Sequence, residues 1–253
     1  FVLWNAVSIF WSADPNRTIA HLVTWVQLLG MVFILWDLYT TRTALSLGLQ
    51  AYVLGAYVAI GSAVANYFAG SVFYTNYQRF SPGDTNPDGF GLIVALGIPV
   101  AWYLAGSENT TRMSRLLKLV NYAYIPAAFL GIALSGTRTA LIAAVPGMAF
   151  GLASLSRPRP AVRFAIFLLL TSALFLLLPL VQPLKSFQRL STTGTELTEG
   201  DLNNRTNNWR EGLASFAEHP LLGVGSNMYR SVNSLGKVAH NSFLSVLVEV
   251  GLI

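Results

Sequence analysis

A few side chains in this sequence can move a proton or grip an anion. His240 sits in "KVAHNSFLSVLVEVG" (Lys237–Gly251), where a polar loop gives way to an apolar helix, with Asn241 beside it. An imidazole exchanges its proton near neutral pH, so a histidine at such a boundary can act as a base. Arg205 lies four residues before Trp209 in "NNRTNNWREGLASFAEHPLLGVG" (Asn203–Gly225), and therefore shares its helical face. A guanidinium aimed at a packed face needs an anion to meet it, and its planar fork suits phosphate. Arg210 competes for that role but is one residue around from Trp209, roughly 100° away. Arg138, in "SGTRTA" (Ser135–Ala140), falls in a very short turn between two apolar segments.

What these groups can do depends on the solvent around them. The chain has 253 residues, of which 53% are hydrophobic and 11% charged, and its mean hydropathy is +0.52. Soluble domains carry roughly 25% charged residues, and charge is scarce where hydrocarbon must solvate it. About seven segments approach the ~20 apolar residues that cross a bilayer: Ile19–Trp36, Ala44–Tyr67, Phe90–Ala105, Leu116–Leu134, Ala140–Leu155, Phe164–Val181 and one beginning at Asn241. Pro99, Pro126 and Pro146 inside them are tolerated where neighbouring helices cover the freed backbone groups. The sequence reads as an all-α, polytopic transmembrane helical bundle. It opens on Phe1 rather than Met and stops at Ile253 inside an apolar run, so residues 1–253 read as one integral membrane domain, a fragment of a longer chain. With no cysteine, disulfides are excluded.

Charge orients the spans. Arg42, Arg112, Arg115, Lys118, Arg157, Arg159 and Arg163 fall in alternate connections, against one acid, Glu108. The remaining short connections hold Arg79, Asp84, Asp88 and Arg138. Basic loops stay cytoplasmic, so the formal charge of +5 is a topology signal and implies no nucleic acid. The opposite, extracytoplasmic face then carries 68–89, the turn at 135–139 and a long, partly helical loop at 183–240. All the polar stretches that look purposeful share that face. Asp201, Asn203 or Asn204 can cap the loop helix, Pro220, Gly223 and Gly225 end it, and Trp209, Leu213 and Phe216 mark an apolar stripe along it.

Several other residues read as structural. His219 shapes the turn with Pro220, and His21 packs near a span end. Glu249, nine residues beyond His240, lies near the opposite helix face and reads as a structural partner. Gly223 and Gly225 read as turn residues rather than a phosphate nest. "DTNPDG" (Asp84–Gly89) begins like a calcium loop, but its twelfth position is Ala95, where a bidentate glutamate is required. An Asx/Pro turn accounts for it better. "ELTEGD" (Glu196–Asp201) reads as a solvated loop, and no Asp-x-Asp pair is present, so no metal site and no cofactor are expected.

Together, "NPDGFG", "SGTRTA" and "NNRTNNWREGLASFAEHPLLGVGSNMY…AHNSFLSVLVEVGL" resemble the signature of the O-antigen ligase and polymerase-like membrane family. That resemblance covers roughly Tyr74 to Ile253 and is strongest over 203–253. It implies a GT-C-like membrane fold in the bacterial inner membrane, with the active site facing the periplasm. It also implies a glycosyltransferase using an undecaprenyl-diphosphate-linked glycan as donor and lipid A–core or another glycan as acceptor. In such a reaction a base takes the acceptor hydroxyl's proton and the departing diphosphate needs its charge stabilised. His240 suits the first task, at a helix N-terminus whose dipole disfavours imidazolium. Arg138 and Arg205 suit the second without a metal, and the resemblance points to the same three positions. Arg210, Asn241 and Trp209 are expected to join Arg138 and Arg205 in substrate binding.

Three rival readings stay open at this point, one of them a membrane scaffold whose outer segment only docks partners, which leaves the inward arginines unexplained. A polysaccharide polymerase would join glycan to glycan with the same parts. A transporter for a lipid-linked or anionic solute would bind cargo with the arginines and break no bond, but it calls for internal repeats and polar groups at the bilayer midplane. The charge asymmetry itself is testable: a topology reporter fused within 156–163 should read cytoplasmic and one within 190–200 outside, and the same side for both would undo the one-face reading.

Overall fold

The computed structural model describes residues 1–73, 78–106, 112–154, 160–191 and 205–252. Those residues are helical, with connecting loops, and pack as two compact units: Tyr39–Gly194, and Phe1–Leu38 together with Thr195–Ile253. In chain order the helices are α1 (Val2–Val7), α2 (Pro15–Leu38), α3 (Arg42–Phe68), α4 (Pro87–Ala105), α5 (Arg112–Ser135), α6 (Arg138–Ser154), α7 (Pro160–Val181), α8 (Lys185–Ser191), α9 (Arg205–Glu218) and α10 (Ser242–Val250). Short 3₁₀ turns occupy Ser8–Phe10 and Tyr229–Ser231.

A helix stands at each of the seven expected spans, but they are not equivalent. Among the described residues, four are long and apolar enough to cross a membrane: α2, α3, α4 and the Arg115–Ser135 part of α5. In α6 the apolar stretch is shorter, Arg138–Gly151. The segment opening at Asn241 is helical over α10. Nine residues of α10 rise only ~14 Å at 1.5 Å each, about half the hydrocarbon core. The last carbonyls of α10 accept from another segment, as described below.

In the unit Tyr39–Gly194, α3, α4, α5 and α6 pack through small residues. Val53, Ala56, Ile60 and Ala63 form the buried stripe of α3, at the three- and four-residue spacing of one helix face. Tyr124 of α5 is fully buried in a slot on α4, and its hydroxyl donates to Val94 O at 2.9 Å. Gly97 makes that slot: a Cβ there would overlap the phenol ring. Gly147 and Gly151 of α6 meet Pro99 and Trp102 of α4 in the same way. Where lipid is as apolar as leucine, close backbone approach through glycine replaces the hydrophobic drive.

In the unit built from the two chain ends, α2 turns an almost wholly apolar surface outward, and Thr18 is its buried residue. The Thr18 hydroxyl donates to Ser226 O at 2.9 Å, tying α2 to the loop before the second 3₁₀ turn. Indole nitrogens extend the same attachment: Trp4 Nε1 donates to Val250 O at 2.9 Å, and Trp11 Nε1 to Leu222 O at 3.0 Å.

Candidate functional site

His240 is exposed and holds φ of +51°, in the left-handed region that favours glycine. The chain is fixed immediately on both sides of it. Before it, Asn208 Nδ2 donates to Val238 O at 2.9 Å and Trp209 Nε1 donates to Ala239 O at 2.7 Å, both from α9. Ala239 itself is buried in a small core with Tyr229, Leu244 and Val248. After it, Asn241 caps α10, its Oδ1 accepting from Phe243 N at 3.1 Å and Leu244 N at 3.2 Å. A side chain at a position costing roughly 1–3 kcal/mol is thus held there by its neighbours.

The helix that supplies this clamp is seated by a tyrosine. Tyr229 is buried, and its hydroxyl donates to Asn208 O at 2.8 Å. Gly212, one turn along, leaves room for the ring, which a Cβ would overlap. Burial first, then the Glu211 charge, pushes the Tyr229 phenol up, so the hydroxyl stays a donor. The buried face of α9 is therefore Asn208, Gly212 and Ser215, which corrects the expected stripe: Leu213 is exposed, and Trp209 and Phe216 are half-buried. That face carries the Asn208 bond to Val238 O and the gap at Gly212 that admits the Tyr229 ring. On the flank, Glu211 accepts from Ser234 N at 2.6 Å and Ser234 Oγ at 2.7 Å, and these bonds hold its carboxyl below the usual range.

The segment after α9 wraps the end of α10. Val224 N donates to Val248 O at 2.9 Å and Gly225 N to Glu249 O at 2.8 Å, while Leu252 N donates to Pro220 O at 3.1 Å. Gly223 and Gly251 lie so close to the facing backbone that neither could carry a Cβ. The Glu249 carboxylate completes the wrap, accepting from Asn227 N at 3.0 Å and Tyr229 N at 3.2 Å. Glu249 is thus a structural partner, as its register implied. Gly223 N donates to His219 O and Gly225 N is used as above, so neither amide is available to cradle a phosphate. His21 stacks edge-on with Trp25, ring centroids 5.5 Å apart, and exposed His219 donates its backbone N–H to Ser215 O and Phe216 O.

Arg138 belongs to the other unit, where it opens α6 and is half-buried. Its turn is built by a buried arginine. Arg79, 4% exposed, donates from Nε to Ser135 O at 2.6 Å and from Nη2 to Asp88 Oδ1 at 2.6 Å and Thr137 Oγ1 at 2.9 Å. Thr137 Oγ1 donates in turn to Pro87 O at 2.9 Å, and Phe80 N to Leu134 O at 3.0 Å. Gly136, at φ of +60°, makes the bend against Ser186. The Asx/Pro turn reading of "DTNPDG" holds: Asn86 caps α4 by accepting from Asp88 N at 2.9 Å, with Pro87 in the first turn. The Asp88 carboxylate is spent on Arg79. Among the described residues no cluster of three metal-ligating side chains occurs; Glu196–Asp201 and the capping candidates Asp201, Asn203 and Asn204 lie outside the described residues.

Of the residues singled out by sequence, Arg205, Trp209, Arg210, His240 and Asn241 fall in one unit and Arg138 in the other. Arg205 is half-buried in the first turn of α9, and Arg210 is exposed. Sequence reasoning missed Asn208, Tyr229 and Arg79. The last had a visible signal: Arg79 and Asp88 are opposite charges in the sparsely charged connections.

Residues 123–253, just over half of the chain, match the O-antigen ligase family, and the chain belongs to that family. With its long apolar helices this makes it a multi-pass membrane protein with a ligase or polymerase role in O-antigen assembly. No curated protein and no solved structure matches the chain.

The Arg79 cluster yields a prediction. Arg79→Met removes three charge-assisted bonds and leaves Ser135 O unpaired in a buried turn, and should cost ~2–4 kcal/mol. Asp88→Asn should cost less, ~1–2 kcal/mol, because the amide oxygen still accepts from Arg79 and the Asp88 side chain is 53% exposed. Thermal unfolding in detergent, comparing both variants with the parent, checks the order.

Proposed function

We propose that this chain transfers a glycan from an undecaprenyl-diphosphate carrier to an acceptor hydroxyl at the periplasmic face of the inner membrane, as an O-antigen ligase completing lipopolysaccharide on lipid A–core. The observation that carries the reading is His240, a non-glycine residue held left-handed, exposed and clamped on both sides. Backbone strain of this kind is retained where a side chain must present one atom in one direction. His240 takes the proton of the attacking hydroxyl as the oxygen closes on the anomeric carbon. The bond from that carbon to the diphosphate oxygen breaks, and its electron pair leaves with the phosphate.

Arg138 and Arg205 meet the charge that develops there, each guanidinium offering paired N–H donors to phosphate oxygens. Among the described residues no carboxylate pairs with Arg205, and its half-buried setting, against exposed Arg210, supports Arg205 as the donor contact. Arg210 lies on the outer side of the same helix, suited to the sugar rather than the diphosphate. Trp209 and Asn241 serve the substrate by holding the backbone on either side of His240. No step calls for a divalent cation, because the arginines supply the positive charge.

One set of variants tests this with defined acceptors. His240→Ala should lower turnover by ~10²–10⁴ with donor affinity largely kept. His240→Gly should be equally inactive yet at least as stable as the parent, because glycine occupies φ of +51° without strain. Arg138→Ala and Arg205→Ala should weaken donor binding as well as rate, and lysine at either position should recover little. Transfer should survive EDTA. Normal turnover in His240→Gly would reduce the histidine to a turn residue, and activity lost to EDTA and restored only by a divalent cation would remove the arginine account.

A further inference from the structure

The helices that carry the Arg138 turn have a second polar site at their other end. There the start of α3, the last turn of α4 and the early turns of α5 enclose a cavity of about 320 Å³. Arg42 and Lys118 bring two positive charges to its wall, and among the described residues no carboxylate lines it. Its buried polar part is a reciprocal pair of amides. Gln50 Nε2 donates to Asn121 Oδ1 at 3.1 Å, and Asn121 Nδ2 donates to Gln50 Oε1 at 2.9 Å, with Asn121 only 1% exposed. Leu47 and Tyr103, both exposed, carry the lining out onto the apolar flank of the bundle.

The positive-inside bias explains why basic residues gather at this end. It does not explain why two of them border one cavity between three helices, over a buried amide pair. Two cations sharing a cavity repel unless an anion lies between them. Phosphate oxygens fit that need, since each accepts charge-assisted bonds from guanidinium and ammonium groups. The apolar rim decides the form of the anion: a free phosphate would leave Leu47 and Tyr103 unused, whereas acyl chains would lie along them. Basic pockets between membrane helices are suited to lipid head groups.

We infer that this cavity binds the phosphate head group of an anionic membrane lipid, gripped by Arg42 and Lys118, with the acyl chains running past Leu47 and Tyr103. The site is independent of the transfer reaction and lies at the end of α3–α5 remote from Arg138. The test is native mass spectrometry of the full chain from detergent, titrated with phosphatidylglycerol, with phosphatidylcholine of the same acyl chains, and with inorganic phosphate as competitor. Phosphatidylglycerol should bind in preference to phosphatidylcholine. The double variant Arg42→Gln/Lys118→Gln should weaken it by about tenfold or more, the scale of one lost charge-assisted bond. Arg115→Gln, an exposed arginine outside the cavity lining, should change it by less than about threefold, and inorganic phosphate should not displace the lipid. Equal binding of the two lipids, or an Arg115→Gln loss as large as that of the double variant, would overturn the site in favour of diffuse surface charge. Full displacement by millimolar inorganic phosphate would overturn the lipid as its ligand and assign a soluble phosphate ester.

Discussion

Two side-chain donors on α9, the Asn208 amide and the Trp209 indole, reach the carbonyls of Val238 and Ala239, and the candidate site in that unit depends on this reach. A loop residue at φ of +51° relaxes unless the chain on both sides is pinned. The α9 donors pin the near side and the Asn241 cap pins the far side. Further contacts in the unit keep α9 and α10 in register. Tyr229 seats α9 through Gly212, Glu249 draws the second 3₁₀ turn onto α10, and the backbone of 220–225 closes the end of α10.

The other unit solves a related problem with charge. A buried guanidinium in a membrane protein is costly unless each of its donors is met. Arg79 meets the cost with a carboxylate, a hydroxyl and a backbone carbonyl, two of them in the turn that opens α6. That ties the loop before α4 to the turn before α6, and so sets the backbone from which Arg138 projects. In both units the residue assigned to chemistry is exposed or half-buried, while buried side chains such as Asn208, Tyr229 and Arg79 support the backbone beside it. Rigid support beneath a partly exposed reactive group is the arrangement that catalysis by positioned donors requires.

Much of this was legible from sequence because hydrocarbon is a strict solvent. It forbids charge and unpaired backbone, so apolar runs mark helices at once, and a helix stands at each expected segment. The Asx/Pro turn over Asp84–Gly89 was readable from local turn chemistry, as was the structural part of Glu249 from helical spacing, though not which residue of the turn caps α4. The α9 face was not. An apolar stripe read at helical spacing predicted Leu213 inward, but the face is chosen by Gly212 and Asn208, whose value depends on a tyrosine seventeen residues beyond the glycine. The Arg79 partners were hidden for the same reason: they lie nine and more than fifty residues away, a separation that no local pattern reports.

The central claim is that α9 controls His240 through the backbone, with Trp209 as a positioning residue. Trp209→Phe tests it most directly, because it removes the indole N–H that meets Ala239 O at 2.7 Å and keeps an aromatic ring. The account predicts that kcat falls by about tenfold or more while donor KM and the membrane fold are kept, a single neutral hydrogen bond being worth ~1 kcal/mol of stability. Unchanged turnover in Trp209→Phe would contradict it, as would a loss confined to donor KM, which would make Trp209 a substrate contact instead.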